Sequence, residues 1–185
     1  MEQTEIEIKV LKRDMDSRAD EKTIENAVFV EDSEYLYTVT ELTLRGKYNR
    51  VYTVVTDFLE IEENEVVVND NLLVMCVFNV LVIIDVLQNK VIKTIKFDDT
   101  LLYGIYNFKS GYFVHGETIN YLLTENFDTA WQCGCDEIFF NSKARKDLVV
   151  FDDYVVAFDS LGYKHYYNEN GEFKTEYFPE YVMPK

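Results

Sequence analysis

The chain has 185 residues and carries 34 Asp and Glu against 18 Lys and Arg, a formal net charge of −16. Its length suits one domain, and 48% hydrophobic with 15% aromatic residues is too apolar for a disordered chain. The acidic excess speaks against nucleic acid or an anionic membrane as partner, since phosphate binding takes Lys and Arg, and no apolar run reaches the ~20 residues that cross a bilayer.

Residues 1–26 are densely charged and stand apart from the rest. Within them Glu5-Ile6-Glu7-Ile8-Lys9-Val10 alternates with period two and predicts a strand. Asp14 to Glu25 is polar and reads as a short helix or a connector. Met1 to Asp20 contains no apolar stretch of the kind an export signal needs, which sets the expectation of a cytoplasmic protein.

From Ala27 onward the pattern is strand after strand. Val66 to Val68, Leu72 to Phe78, Val80 to Val86 and Val91 to Phe97 are dense in β-branched residues. The breaks between them are Asn69-Asp70-Asn71, Asn79 and Gln88-Asn89-Lys90. Asn and Asp suit such turns because they tolerate left-handed φ and bond their own backbone. Asn170-Gly171 is the strongest hairpin signal in the chain. No linker rich in Gly, Ser or Pro divides residues 27–185, so they read as a single domain.

A unit recurs along this region. Its last turn falls near Tyr48, Asn89, Phe127 and Asn170, at intervals of about 40 residues. The strands after these turns begin at Arg50, Lys90, Thr129 and Glu172. Those before them are Glu41 to Arg45, Leu81 to Asp85, Ile119 to Thr124 and Tyr163 to Tyr167. Earlier strands are Tyr35 to Val39, Leu72 to Cys76, Gly111 to His115 and Tyr154 to Phe158. The arrangement resembles the four-stranded blades of a β-propeller, without the Gly-His and Trp-Asp signatures of WD40 repeats. The expectation is an all-β chain of about four antiparallel meanders, propeller-like, forming either a small four-bladed ring or an open stack. The Glu5 to Val10 strand would then complete an edge of the last unit, because exposed edges invite aggregation.

The sequence holds no catalytic signature. Three cysteines do not make a disulfide framework: Cys76 lies in an apolar run, and Cys133-Gly-Cys135 is at most half of a metal site. His115, in Gly111-Tyr-Phe-Val-His-Gly, reads as a half-buried strand histidine, and His165 as one on a solvated or interface face. A nucleophile pair between His115 and Cys133 or Cys135 has no supporting sequence around it. The carboxylate pairs Glu62-Glu63, Asp98-Asp99 and Asp152-Asp153 sit at predicted turns. No enzyme, metal or cofactor is expected.

Two acidic stretches are the candidate partner-binding regions. Asp57 to Asp70 contains Glu60, Glu62, Glu63 and Glu65 and no basic residue. The stretch near the end combines Glu169, Glu172 and Glu176 with Tyr166, Tyr167 and Tyr177. Tyrosines offer rigid contact area and carboxylates steer a cationic partner. In character the chain is similar to bacterial immunity proteins, and that resemblance implies inhibition of a basic, toxin-like protein by occlusion. The alternative is a propeller-like interaction scaffold or ligand-binding protein.

Overall fold

The computed structural model describes residues 4–16, 27–30, 36–57, 61–97, 101–135, 137–139 and 148–178. They form sixteen strands in four four-stranded sheets, each drawn from one stretch of chain. The chain divides into two compact units, Met1–Asp99 and Thr100–Lys185, each containing two sheets.

In the first unit, sheet 1 comprises β1 (Glu5–Asp16), β2 (Phe29–Val30), β3 (Leu36–Arg45) and β4 (Arg50–Asp57), ordered β1-β3-β4-β2. This corrects three expectations. The N-terminal strand does not complete the last unit: it pairs antiparallel with β3. Its period-two face explains the choice, since Ile6, Ile8 and Val10 fall opposite Leu44, Leu42 and Thr40, and both isoleucines pack on the core of this unit. The predicted strands Tyr35 to Val39 and Glu41 to Arg45 are, from Leu36 on, one continuous strand, because Val39-Thr40-Glu41 contains no turn-forming residue; Tyr35 lies outside the described residues. The sheet is also not a plain meander, for the short β2 runs parallel to β4, with Phe29 opposite Val54. Of the stretch Asp14 to Glu25, expected to be a short helix or a connector, residues 14–16 belong to β1, and the rest lies outside the described residues.

Sheet 2 is a true meander of β5 (Val66–Asn69), β6 (Leu72–Val77), β7 (Val80–Asp85) and β8 (Lys90–Lys96), preceded by a 3-10 turn at Glu63–Glu65. Its strands and breaks match the sequence pattern. Asp70, Phe78 and Asn89 take φ of 51°, 55° and 55° at the three turns. Leu42, Leu44, Tyr52 and Val54 of sheet 1 form one core cluster with Leu73, Met75, Val77, Val82 and Ile84 of sheet 2. Full burial of an aliphatic side chain of this size is worth about 1.5–3 kcal/mol, so this cluster dominates the stability of the unit.

The second unit repeats the meander twice. Sheet 3 runs through β9 (Leu102–Phe108), β10 (Gly111–Gly116), β11 (Ile119–Leu123) and β12 (Thr129–Gly134). Sheet 4 runs through β13 (Leu148–Val150), β14 (Val155–Phe158), β15 (Tyr163–Asn168) and β16 (Gly171–Tyr177). All pairings in these two sheets are antiparallel. The third turn of every sheet carries a left-handed residue: Asn49, Asn89, Phe127 or Gly171. Two of them, Asn89 and Phe127, are the predicted turn positions themselves, and Asn49 and Gly171 lie one residue beyond the predicted Tyr48 and Asn170. Phe113 and Leu122 of sheet 3, Phe139, and Val155, Ala157 and Tyr167 of sheet 4 make the second core. Trp131 ties the outer strands together: its Nε1–H donates to the Glu169 carbonyl at 3.1 Å.

Candidate functional site

The two faces of sheet 4 differ in kind. Alternation along β15 turns His165 and Tyr167 toward the core, leaving Lys164 and Tyr166 on the opposite face. On that opposite face four aromatic rings follow one another across the sheet. Phe151 stacks on Tyr154 at 4.6 Å, Tyr154 lies 6.1 Å from Tyr166, and Tyr166 lies 6.2 Å from Phe173. The ends of this row are open to solvent, with Phe151 44% and Phe173 54% exposed. Register accounts for the geometry. Tyr166 pairs with Lys174, and a bulge between Tyr166 and Tyr167 leaves Phe173 the extra residue that reaches the Tyr166 ring.

Charged groups interleave with the rings. The Tyr166 hydroxyl donates to Glu176 at 2.8 Å, and Lys174 pairs with Glu176 at 2.5 Å while its ammonium sits 5.1 Å from the Tyr166 ring centre. The Lys174 ammonium, and secondarily the Tyr166 hydroxyl, hold the Glu176 carboxyl below its usual range. Burial and the same carboxylate push the Tyr166 phenol up. Asp152 and Asp153 occupy the exposed β13–β14 turn beside Phe151, and Lys109 pairs with Asp153 at 2.5 Å. The face is therefore an aromatic strip edged by carboxylates, on which a cation already rests.

The residues singled out from sequence do not all meet here. Tyr166 and Glu176 do. Tyr167 does not: it is fully buried, stacked on Trp131 at 5.7 Å, and belongs to the core, because a one-residue step along a strand reverses the face. Glu172 lies on the Tyr167 side and faces His165. Glu169 is exposed in the β15–β16 turn, and Tyr177, 55% exposed, packs on Tyr163 at 5.0 Å. Glu62 and Glu63 are exposed in the other unit. Glu65 is half-buried there, its carboxylate accepting from the Glu62 amide at 2.7 Å, and burial pushes its pKa up to about 7. Glu60 and the pair Asp98-Asp99 lie outside the described residues. Sequence reasoning passed over Phe151 and Tyr154, which are far from Phe173 in the chain; only the hairpin register brings them into one row.

Both histidines are buried and partnered by polar side chains. His115 is buried; with Nδ1 protonated it donates to Asn120 at 2.6 Å, and burial lowers its pKa to about 4 despite that bond. Asn120 also stands between it and Cys133 in the strand register, so the two cannot form a nucleophile pair. His165 is buried rather than solvated. Its Nε2 lies 3.1 Å from Asp159 and its Nδ1 3.3 Å from Glu172. Asp159, which also accepts from the Leu161 and Tyr163 amides, supplies the polar partner that makes this burial tolerable. Cys76 is buried, which raises its thiol well above the usual range. Among the described residues no group of three or more His, Cys, Asp or Glu is placed to hold a metal ion, and no helix is long and apolar enough to cross a membrane.

No protein-family model matches the sequence, and no curated protein matches it. Among solved structures the chain is similar to the WD40 domain of Neurospora crassa Pan2, at 12% identity and a TM-score of 0.48 over 61% of this chain and 37% of that one. It is similar to BBS1N in complex with ARL6DN, at 12% identity and 0.49 over 95% and 52%. It is similar also to BamB from Moraxella catarrhalis, at 11% identity and 0.49 over 77% and 47%. The chain spans about half the length of these structures or less. None of them supports the resemblance to immunity proteins. The four consecutive four-stranded sheets themselves define the class: an all-β chain of propeller-like repeats.

Proposed function

We propose that this chain is a non-enzymatic, propeller-like interaction scaffold that docks a cationic segment of a partner protein on the outer face of sheet 4. The observation that carries the reading is the open aromatic row from Phe151 to Phe173, flanked by Asp152, Asp153 and Glu176. A partner's Arg or Lys would lie over the Phe173 or Tyr166 ring, as Lys174 does within the chain. The net charge of −16 would speed the encounter and make it salt-sensitive. The described cysteines are all free thiols, which fits a reducing compartment such as the cytoplasm. Neutralisation of a basic toxin is the narrower form of this reading.

The test is affinity capture from host lysate by the full chain and by a Phe151→Ser/Phe173→Ser double variant, washed at low and high salt. The expected result is a basic partner that the intact chain retains at low salt and loses at high salt, and that the folded variant does not capture. Identical capture by the two proteins, or no partner at either salt, would overturn the proposal. Rescue of growth against the captured protein would separate an inhibitor from a scaffold.

A further inference from the structure

The first unit contains a cleft built from its own two sheets, which takes no part in the reading above. It is lined by Ala27 and Val28 ahead of β2, Val51, Tyr52 and Thr53 of β4, and Asn89, Lys90 and Val91 of the β7–β8 hairpin, and encloses about 470 Å³. That volume falls among those of small-molecule sites, which run roughly 300–1,000 Å³. The backbone holds its walls in place: the Val28 amide donates to the Thr53 carbonyl at 2.8 Å, and Asn89 adopts a left-handed φ of 55° that turns Lys90 into β8.

Two features of the lining point to a ligand of one kind. Tyr52 is only 2% exposed, and its buried hydroxyl has no hydrogen-bond partner among the described residues. A buried phenol is rarely left so, since its O–H loses water and gains nothing in return. Lys90, in contrast, is exposed and forms no ion pair among the described residues. Arg50 acts electrostatically on the Tyr52 hydroxyl from the same strand. In a chain of net charge −16 this is a local concentration of positive charge and donors. The nearby Asp85 carboxylate opposes this charge at the Tyr52 hydroxyl, but its two oxygens already accept from the Gln88 amide at 2.8 Å and the Gln88 side chain at 3.0 Å, so it does not accept from the Tyr52 phenol or Lys90. Val28 and Val91 supply the apolar part of a lining that is otherwise mostly polar.

We infer that this cleft binds a small organic anion, its charged oxygens held by Lys90 and the Tyr52 hydroxyl and its apolar body lying against Val28 and Val91. Carboxylates and phosphate monoesters share the necessary chemistry. The test titrates the full chain with octanoate and, separately, with phenyl phosphate, following the backbone amides of Val28, Thr53, Lys90 and Val91 by nuclear magnetic resonance. Saturable shifts confined to this set are expected with at least one probe, and whichever binds identifies the head group. Lys90→Gln should weaken that binding about tenfold, the loss of one charge-assisted hydrogen bond. Tyr52→Phe, which keeps the ring and its packing, should weaken it several-fold. Absence of shifts with both probes, or equal affinity in both folded variants, would overturn the inference. Because the readout lies in the first unit, failure here leaves the protein-docking proposal untouched.

Discussion

At the residue scale, His115 shows how burial writes a pH dependence into the second unit. Its ring touches Tyr103 and Phe139 and bonds Asn120, and it stays neutral until the pH falls to about 4. In the unfolded chain it would protonate near 6.5. Between those values the unfolded state binds more protons, so stability falls as pH drops from about 6.5 to 4 and levels off below. The shift corresponds to a loss on the order of 3 kcal/mol. His115→Gln should be less stable than the natural chain at pH 7, yet should lack this part of the acid slope. Denaturant midpoints measured for both proteins from pH 7 to pH 4 would show it; parallel profiles would mean that the ring is solvated. None of this was legible in the sequence beyond the strand itself. Asn120 becomes the partner only through the β10–β11 register.

At the scale of the element, hairpins were the most legible part of the chain. Asn89 and Asn170-Gly171 announce their own turns, because Asn and Gly accept the left-handed backbone that a tight hairpin requires. The parts that misled were those where pairing is not local. Nothing in Glu5-Ile6-Glu7-Ile8-Lys9-Val10 says which sheet it joins; its alternation fits any sheet with a matching apolar face. Likewise Phe29-Val30 gives no hint of parallel pairing, which depends on where β4 ends up. The candidate site was half-legible for the same reason. Tyr166, Phe173 and Glu176 are close in sequence and close in space, but Phe151 and Tyr154, which extend their row, come from another hairpin. Packing at hairpins also sets an element-scale limit. A Cβ at Gly111 would lie 2.0 Å from the Leu123 carbonyl oxygen, a backbone atom that cannot swing aside. Gly111→Ala should cost about 3 kcal/mol in an unfolding titration. Gly134→Ala, whose added carbon meets its nearest neighbour at 3.3 Å, should cost less.

On the scale of the whole molecule, acid and base are unevenly spread. Lys90, Lys93 and Lys96 all fall on β8, the edge strand of sheet 2, where lysine discourages pairing with another chain. The same strand lines the cleft of the first unit through Lys90 and Val91. Each unit also has its own hydrophobic cluster, one centred on Leu42, Leu73 and Val82 and the other on Phe113, Phe139 and Tyr167. Trp131 is the only tryptophan in the chain, and it belongs wholly to the second: edge-on to Phe113, stacked on Tyr167 and bonded to the Glu169 carbonyl. Its emission is therefore a built-in optical reporter of Thr100–Lys185, while Met1–Asp99 is dark at tryptophan wavelengths. Far-ultraviolet circular dichroism sees the strands of both. On heating, the dichroism should show loss of structure that the fluorescence does not follow, and coincident curves would mean that the two units melt as one.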